Sequence, residues 1–190
     1  FQMPMPDGKY KTFKLIEAPI LSAQLAKEYP DIKTYRAYNV TDDSYGGRVT
    51  LSNQGFSAAI HVEEGEVFIE KMEEGLYKSF FQNSSNTSFG CVVGDSFESK
   101  VPKAITPKVF SNGSVLKTYR LAVVTTGEFF QNNGATQGAA MAALVSHVNA
   151  MDAVYEKDAG ISFTLAATLI YENPATDDLN PGGYGDEAQR

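Results

Sequence analysis

Period-two alternation dominates the first half of the chain. Over residues 10–16, Phe13 and Leu15 alternate with Thr12 and Lys14, which predicts a half-buried strand. A short helix fits residues 22–29: Ser22 can cap its free N–H groups, Leu25 is apolar one turn on, and Pro30 ends it. Residues 33–40 return to strand. Two hairpins follow, 49–51 with 56–60 around Asn53-Gln54-Gly55, and 58–62 with 66–69 around Glu63-Glu64-Gly65. In each loop the glycine can take the positive φ that a three-residue connection needs. Further apolar runs at 76–81 and 89–93 flank a polar tract. Short strands at this spacing predict an antiparallel meander ending near Gly94.

Residues 95–117 lose that periodicity, collect Pro102, Pro107 and a Ser/Asn/Gly cluster, and read as an interdomain linker. Beyond it the class changes. Residues 119–125 are a near-continuous apolar run, as expected of a strand covered on both faces. Residues 135–157 read as a helix with one stripe of Met141, Leu144, Val145, Val148, Met151 and Tyr155, closed by Gly160 in a left-handed conformation. Residues 161–171 form a second two-sided apolar strand. Strand, helix, strand implies a parallel pair with a right-handed crossover. Two strands and one helix cannot bury their own faces, so this unit is expected to pack on residues 1–94 or to dimerise. The tail, 173–190, is rich in Pro, Gly and acidic residues and is expected to form no element. The chain is therefore read as α+β, with a mostly antiparallel β domain at 1–94, a linker at 95–117, a β-α-β unit at 118–172 and an irregular tail at 173–190.

Composition narrows the chemistry. The chain has 190 residues, 43% hydrophobic, with 16 Lys+Arg against 23 Asp+Glu and a net charge of −7. Residues 1–100 carry −4 and residues 101–190 carry −3, so no basic half is concealed, and nucleic acid is not an expected partner. No stretch approaches the roughly 18 apolar residues of a membrane helix, and no membrane partner is expected. A single cysteine, Cys91, excludes an internal disulfide, and the two histidines, His61 and His147, stand in no metal or triad spacing. H-E-x-x-H, C-x-x-C, G-x-S-x-G and P-loop motifs are all missing.

The segment 118–171, TYRLAVVTTGEFF … GATQGAAMAALVSHVNAMDAVYEKDAGISFTLAATLIY, resembles the start of a metzincin catalytic domain, more closely that of the secreted bacterial reprolysin-like (adamalysin-type) metallopeptidases. HVNAMDAVYEKDAGISFTL, residues 147–165, carries most of the likeness. The β domain resembles the propeptide of such enzymes in EAPIL at 17–21, YPDIKTYR at 29–36 and FGCV at 89–92. The resemblance implies the N-terminal region of a secreted zinc metalloendopeptidase zymogen: an inhibitory propeptide and a truncated catalytic domain. In the family, zinc is held by H-E-x-x-H-x-x-G-x-x-H, which would lie after Arg190 in the full-length parent. No catalytic residue, no cofactor and no metal ligand is expected in this chain, and the 190 residues alone are expected to be inactive. The expected partners are the remainder of the catalytic domain and, for the parent, protein or peptide substrates. The other class of reading is a non-enzymatic secreted binding or adhesion module that uses the β domain as its surface.

Cys91 is the one residue with a chemical role to weigh. In several metzincin zymogens a propeptide thiolate occupies the fourth zinc position, and zinc suits and deprotonates a thiol. The alternatives are a small buried hydrophobe beside Phe89, Val92 and Val93, or a disulfide to a cysteine expected beyond Arg190. His147 reads as a structural histidine beside the apolar stripe, and His61 as a solvated pair with Glu63 and Glu64. The six carboxylates Glu63, Glu64, Glu66, Glu70, Glu73 and Glu74 read as a solvated face, and Arg120 stands where a calcium-binding acid of the family would sit. Four Asn-x-Ser/Thr sequons, at Asn39, Asn83, Asn86 and Asn112, agree with export.

Overall fold

The computed structural model describes residues 1–42, 45–73, 75–82 and 115–179. The expected strand at 89–93, nearly all of the linker, Cys91, three of the sequons and the end of the tail lie outside the described residues.

Seven strands form one antiparallel sheet in sequence order: β1 (Gln2–Pro4), β2 (Tyr10–Glu17), β3 (Lys33–Asn39), β4 (Gly46–Ser52), β5 (Gly55–Val62), β6 (Gly65–Glu73) and β7 (Leu76–Phe81). This is the predicted meander, with β1 added at its start. The two hairpin glycines do take positive φ, +120° at Gly55 and +134° at Gly65, but they pair with Ser52 and Val62 as the first residues of the returning strands, so the connections are the two residues Asn53-Gln54 and Glu63-Glu64 rather than the expected three. Helix α1 (Ala23–Glu28) interrupts the meander, with the Ser22 hydroxyl accepting from the Leu25 N–H at 3.4 Å. One face of the sheet encloses a core of Met3, Phe13, Val49, Ile60, Val67 and Ile69, each at most 1% exposed. Gly47 lets β4 and β5 close on each other, because a Cβ there would stand 2.0 Å from the Ala59 carbonyl oxygen.

The second part holds β8 (Lys117–Thr125), α2 (Gly127–Asn132), α3 (Gln137–Ala159) and β9 (Ile161–Ile170), with β8 and β9 paired in parallel. The architecture is α+β, with the parallel pair as expected. Four details correct the sequence reading. Lys117 already belongs to β8. The predicted helix at 135–157 starts later, because Ala135 has φ +49° and Thr136 caps α3 through the Ala139 N–H. A separate short helix, α2, precedes it, capped by Thr126. The strands are not covered on both faces: Val124 is 46% and Leu169 50% exposed. A bulge between Leu165 and Ala167 shifts the alternation, so that Leu165 and Ile170 both reach the α3 side while Leu169 faces out.

Helix α3 packs on β9 and on β4 and β5 of the large sheet, which joins the two parts. Of its predicted stripe, Met141, Leu144, Val145 and Val148 are buried, with Ile20, Leu25, Ile32 and Leu165. Met151 and Tyr155 are instead largely exposed, and the positions that turn inward are Asn149, 1% exposed, and Asp152, fully buried. Gly160 caps the helix at φ +63° as expected.

Candidate functional site

The sheet's helix-facing side is polar. Period two places Arg36 on β3, Arg48 and Thr50 on β4 and His61 on β5 on this side, opposite to Ala37, Val49 and Ile60. Arg36 and Arg48 are direct cross-strand partners. Like charges so opposed repel, and the sheet alone would hold them apart from any counterion.

Helix α3 supplies the counterions. Asn149, Asp152 and Glu156 recur at three- and four-residue steps and share one helix face. Arg48, 3% exposed, donates through Nη2 to Asp152 Oδ2 at 3.2 Å and to Glu156 Oε1, and through Nη1 to the Ala18 carbonyl at 3.4 Å. Arg36 grips Glu156 with two bonds, Nε to Oε2 at 3.2 Å and Nη2 to Oε1 at 2.6 Å. Asn149 Nδ2 donates to Thr50 Oγ1 at 3.0 Å. Asp152 also accepts from the Phe163 N–H at 2.8 Å and the Ser162 hydroxyl at 3.3 Å, so one buried carboxylate ties α3 to β9 and to β4.

The two carboxylates titrate in opposite senses. Burial raises Asp152 above the usual range, against the pull of the Phe163 N–H, Arg48 and Ser162. Burial works on Glu156 in the same direction, but the hydrogen bonds and charges of Arg36 and Arg48 together outweigh it and hold that carboxyl below the usual range. The hydrogen bond to Glu156 raises Arg36 in turn, against the cost of its desolvation.

His61 extends this seam. It is no solvated pair with Glu63 and Glu64, which are both exposed; its Nδ1 meets Glu66 Oε1 across the β5–β6 ladder and its Nε2 meets the Ala153 carbonyl oxygen at 2.7 Å. Glu66 therefore leaves the solvated acidic face, while Glu70 and Glu73 stay on it and Glu74 lies outside the described residues. His147 is exposed, with its ring beside Phe129 rather than buried along the stripe. Arg120 is exposed. Asn39 is 4% exposed, and its Oδ1 accepts from the Thr41 hydroxyl and the Thr41 and Asp42 N–H groups, which withdraws that sequon from modification in the folded chain.

These positions do not fit a catalytic zinc site. His61 spends both ring nitrogens on protein acceptors, His147 stands apart from it, and among the described residues no three His, Cys, Asp or Glu side chains are grouped to hold a metal. The geometry is that of a docking seam. Neither the α3 counterions nor the sheet arginines announce themselves in the sequence, since a buried Asp on an amphipathic helix reads as a solvent-facing position. The only available signal was the three- and four-residue spacing of Asn149, Asp152 and Glu156.

No curated protein and no solved structure matches the chain. Residues 115–189, the stretch that holds β8, α2, α3 and β9, match the family model described as Metallo-peptidase family M12, and this stretch is a metallopeptidase-related region.

Proposed function

We propose that the chain is the N-terminal region of a secreted zinc metalloendopeptidase precursor, with residues 1–94 as an inhibitory propeptide and residues 118–172 as the opening of the catalytic domain. The observation that carries this reading is the seam between α3 and the large sheet: Arg36 and Arg48 pair with Asp152 and Glu156, beside the apolar cluster in which Ile20, Leu25 and Ile32 meet the M12-like segment. Charged pairing of this kind is commoner at interfaces between units that separate, whereas obligate interfaces are more hydrophobic throughout. In this proposal the zinc ligands come from sequence beyond Arg190, and Cys91 is the candidate thiolate for the fourth zinc position, with a core role as its alternative. The chain by itself is proposed to be inactive.

The test uses the precursor expressed from the extended reading frame and assayed on casein. A latent wild type, with cleavage activity released by Arg48→Glu and abolished by a chelator, supports the proposal. Equal activity in both forms overturns the inhibitory role, and unchanged latency in Cys91→Ser removes the thiolate from it. A reading frame with no three-histidine zinc motif would leave the non-enzymatic binding module.

A further inference from the structure

The chain between β2 and α1 does something the meander does not require. After Glu17 it leaves the large sheet and lays Ile20–Ser22 against the outer edge of β9. Leu21 pairs in parallel with Leu165; the Leu165 N–H donates to the Ile20 carbonyl at 2.6 Å, and the Ser22 N–H donates to the Leu165 carbonyl at 2.9 Å. The first half of the molecule thus adds a single parallel bridge to the edge of the two-stranded sheet of the M12-like segment.

Side chains complete the seat. Ile20, Leu25 and Ile32 enter the cluster formed by Met141, Leu144, Val145, Val148 and Leu165. The strap's shape is largely its own. Thr34 clamps its start, donating to the Ala18 carbonyl at 2.8 Å and accepting from the Ile20 N–H at 3.2 Å, Pro19 fixes φ between them, and Ser22 caps α1 at its end. The edge of β9 also runs on past the strap. Ala166 to Ile170 border an open groove of about 370 Å³ whose other wall is Gln24, Leu25, Glu28 and Tyr29 of the α1 region. The seat is longer than its present occupant.

We propose that the β9 edge and the apolar cluster beneath it form a strand-accepting peptide site, filled here in cis by residues 17–32 and able to take the same segment in trans from a second molecule or a released first half. Its ligand is an extended peptide with a small residue and Pro, two consecutive apolar residues and a helix-capping Ser. Main-chain bonds to Leu165 supply the register, and the pocket for Ile20 and Leu25 supplies selectivity. This goes beyond the proposed precursor role and does not need the zinc-bearing remainder.

The experiment uses the full 190-residue chain carrying Ile20→Asp, which expels the strap, and a fluorescein-labelled peptide of residues 17–32. Saturable anisotropy is expected with the variant, and binding at least about tenfold weaker with wild type, whose own strap competes. Amide exchange at Leu165 should rise about tenfold in the variant and fall again on peptide addition, while a peptide carrying Ile20→Asp has no effect. If Ile20→Asp unfolds the chain, Thr34→Val loosens the strap without burying a charge and is read in the same way. A folded variant with an exposed Leu165 amide that the peptide neither binds nor protects overturns the proposal. That result would leave latency of the precursor, which is read by casein cleavage, untouched.

Discussion

The large sheet has two faces made of the same strands and held by opposite physics. One face encloses Met3, Phe13, Val49, Ile60 and Ile69 and is closed to water. The other presents Arg36, Arg48, Thr50 and His61 to α3 and is joined by charge and directed hydrogen bonds. The apolar face draws its stability from area removed from water, which is insensitive to direction. The seam draws on pairing that compensates desolvation only while both partners are present. A sheet built this way can fold around its own core and still discriminate strictly among the helices it will accept, since a helix lacking the Asp152 and Glu156 positions would leave two facing arginines without counterions.

The sharpest way to break the comparison is Asp152→Ala. It leaves buried Arg48 with Glu156 and the Ala18 carbonyl only and removes the acceptor for Phe163 and Ser162, so a loss of about 2–4 kcal/mol is expected in urea unfolding. The paired change Arg48→Met with Asp152→Leu should recover most of that loss, because apolar replacements of a buried ion pair are often neutral. If the double variant is as unstable as the single, the seam is a source of stability and not chiefly of selectivity. On the other face Ile60→Val should cost about 0.5–1.5 kcal/mol and leave the pH dependence unchanged. Arg36→Ala, at a half-exposed fork, should cost only about 0.5–1 kcal/mol after solvent screening.

The pH dependence separates the two carboxylates. Glu156, depressed in the folded chain, contributes stability above its unfolded value near 4.5 that is lost as pH falls through its lower folded value. Asp152, raised by burial, does the reverse: its contribution is full below its unfolded value near 3.8 and is lost as pH rises through the folded one. Glu156→Gln should therefore flatten the acid limb of the stability curve and Asp152→Asn should steepen it. The smallest expected effect is also the most specific. Equal curves for both variants would show that the two groups titrate as one.

Much of the fold was legible because its signals are local. The hairpin glycines, the Ser22 cap, the Gly160 stop and the alternation in β2 to β7 each depend on a few neighbouring residues and stood where they were expected. The sequence pattern starts the long helix two residues early because Gly134 and Ala135 carry no polar break; the turn there is seen only in the φ of +90° and +49° that they adopt. The seam leaves only one trace in the sequence, the spacing of Asn149, Asp152 and Glu156. Proximity in sequence points His61 to the adjacent Glu63 and Glu64, but a strand neighbour lies across the ladder, and Glu66 is the residue directly opposite it.

The sequence by itself determined the elements other than β1 and α2, the α+β class and the parallel pair, since periodicity and capping are properties of short stretches. Tertiary structure alone decided which charges are buried. Arg48 and Asp152 are 104 residues apart, and nothing near either one marks it as different from a surface residue until β4 and α3 meet. It also decided that residues 20–22 would leave their own sheet for the edge of β9, because an unpaired strand edge is a demand that only the assembled molecule makes.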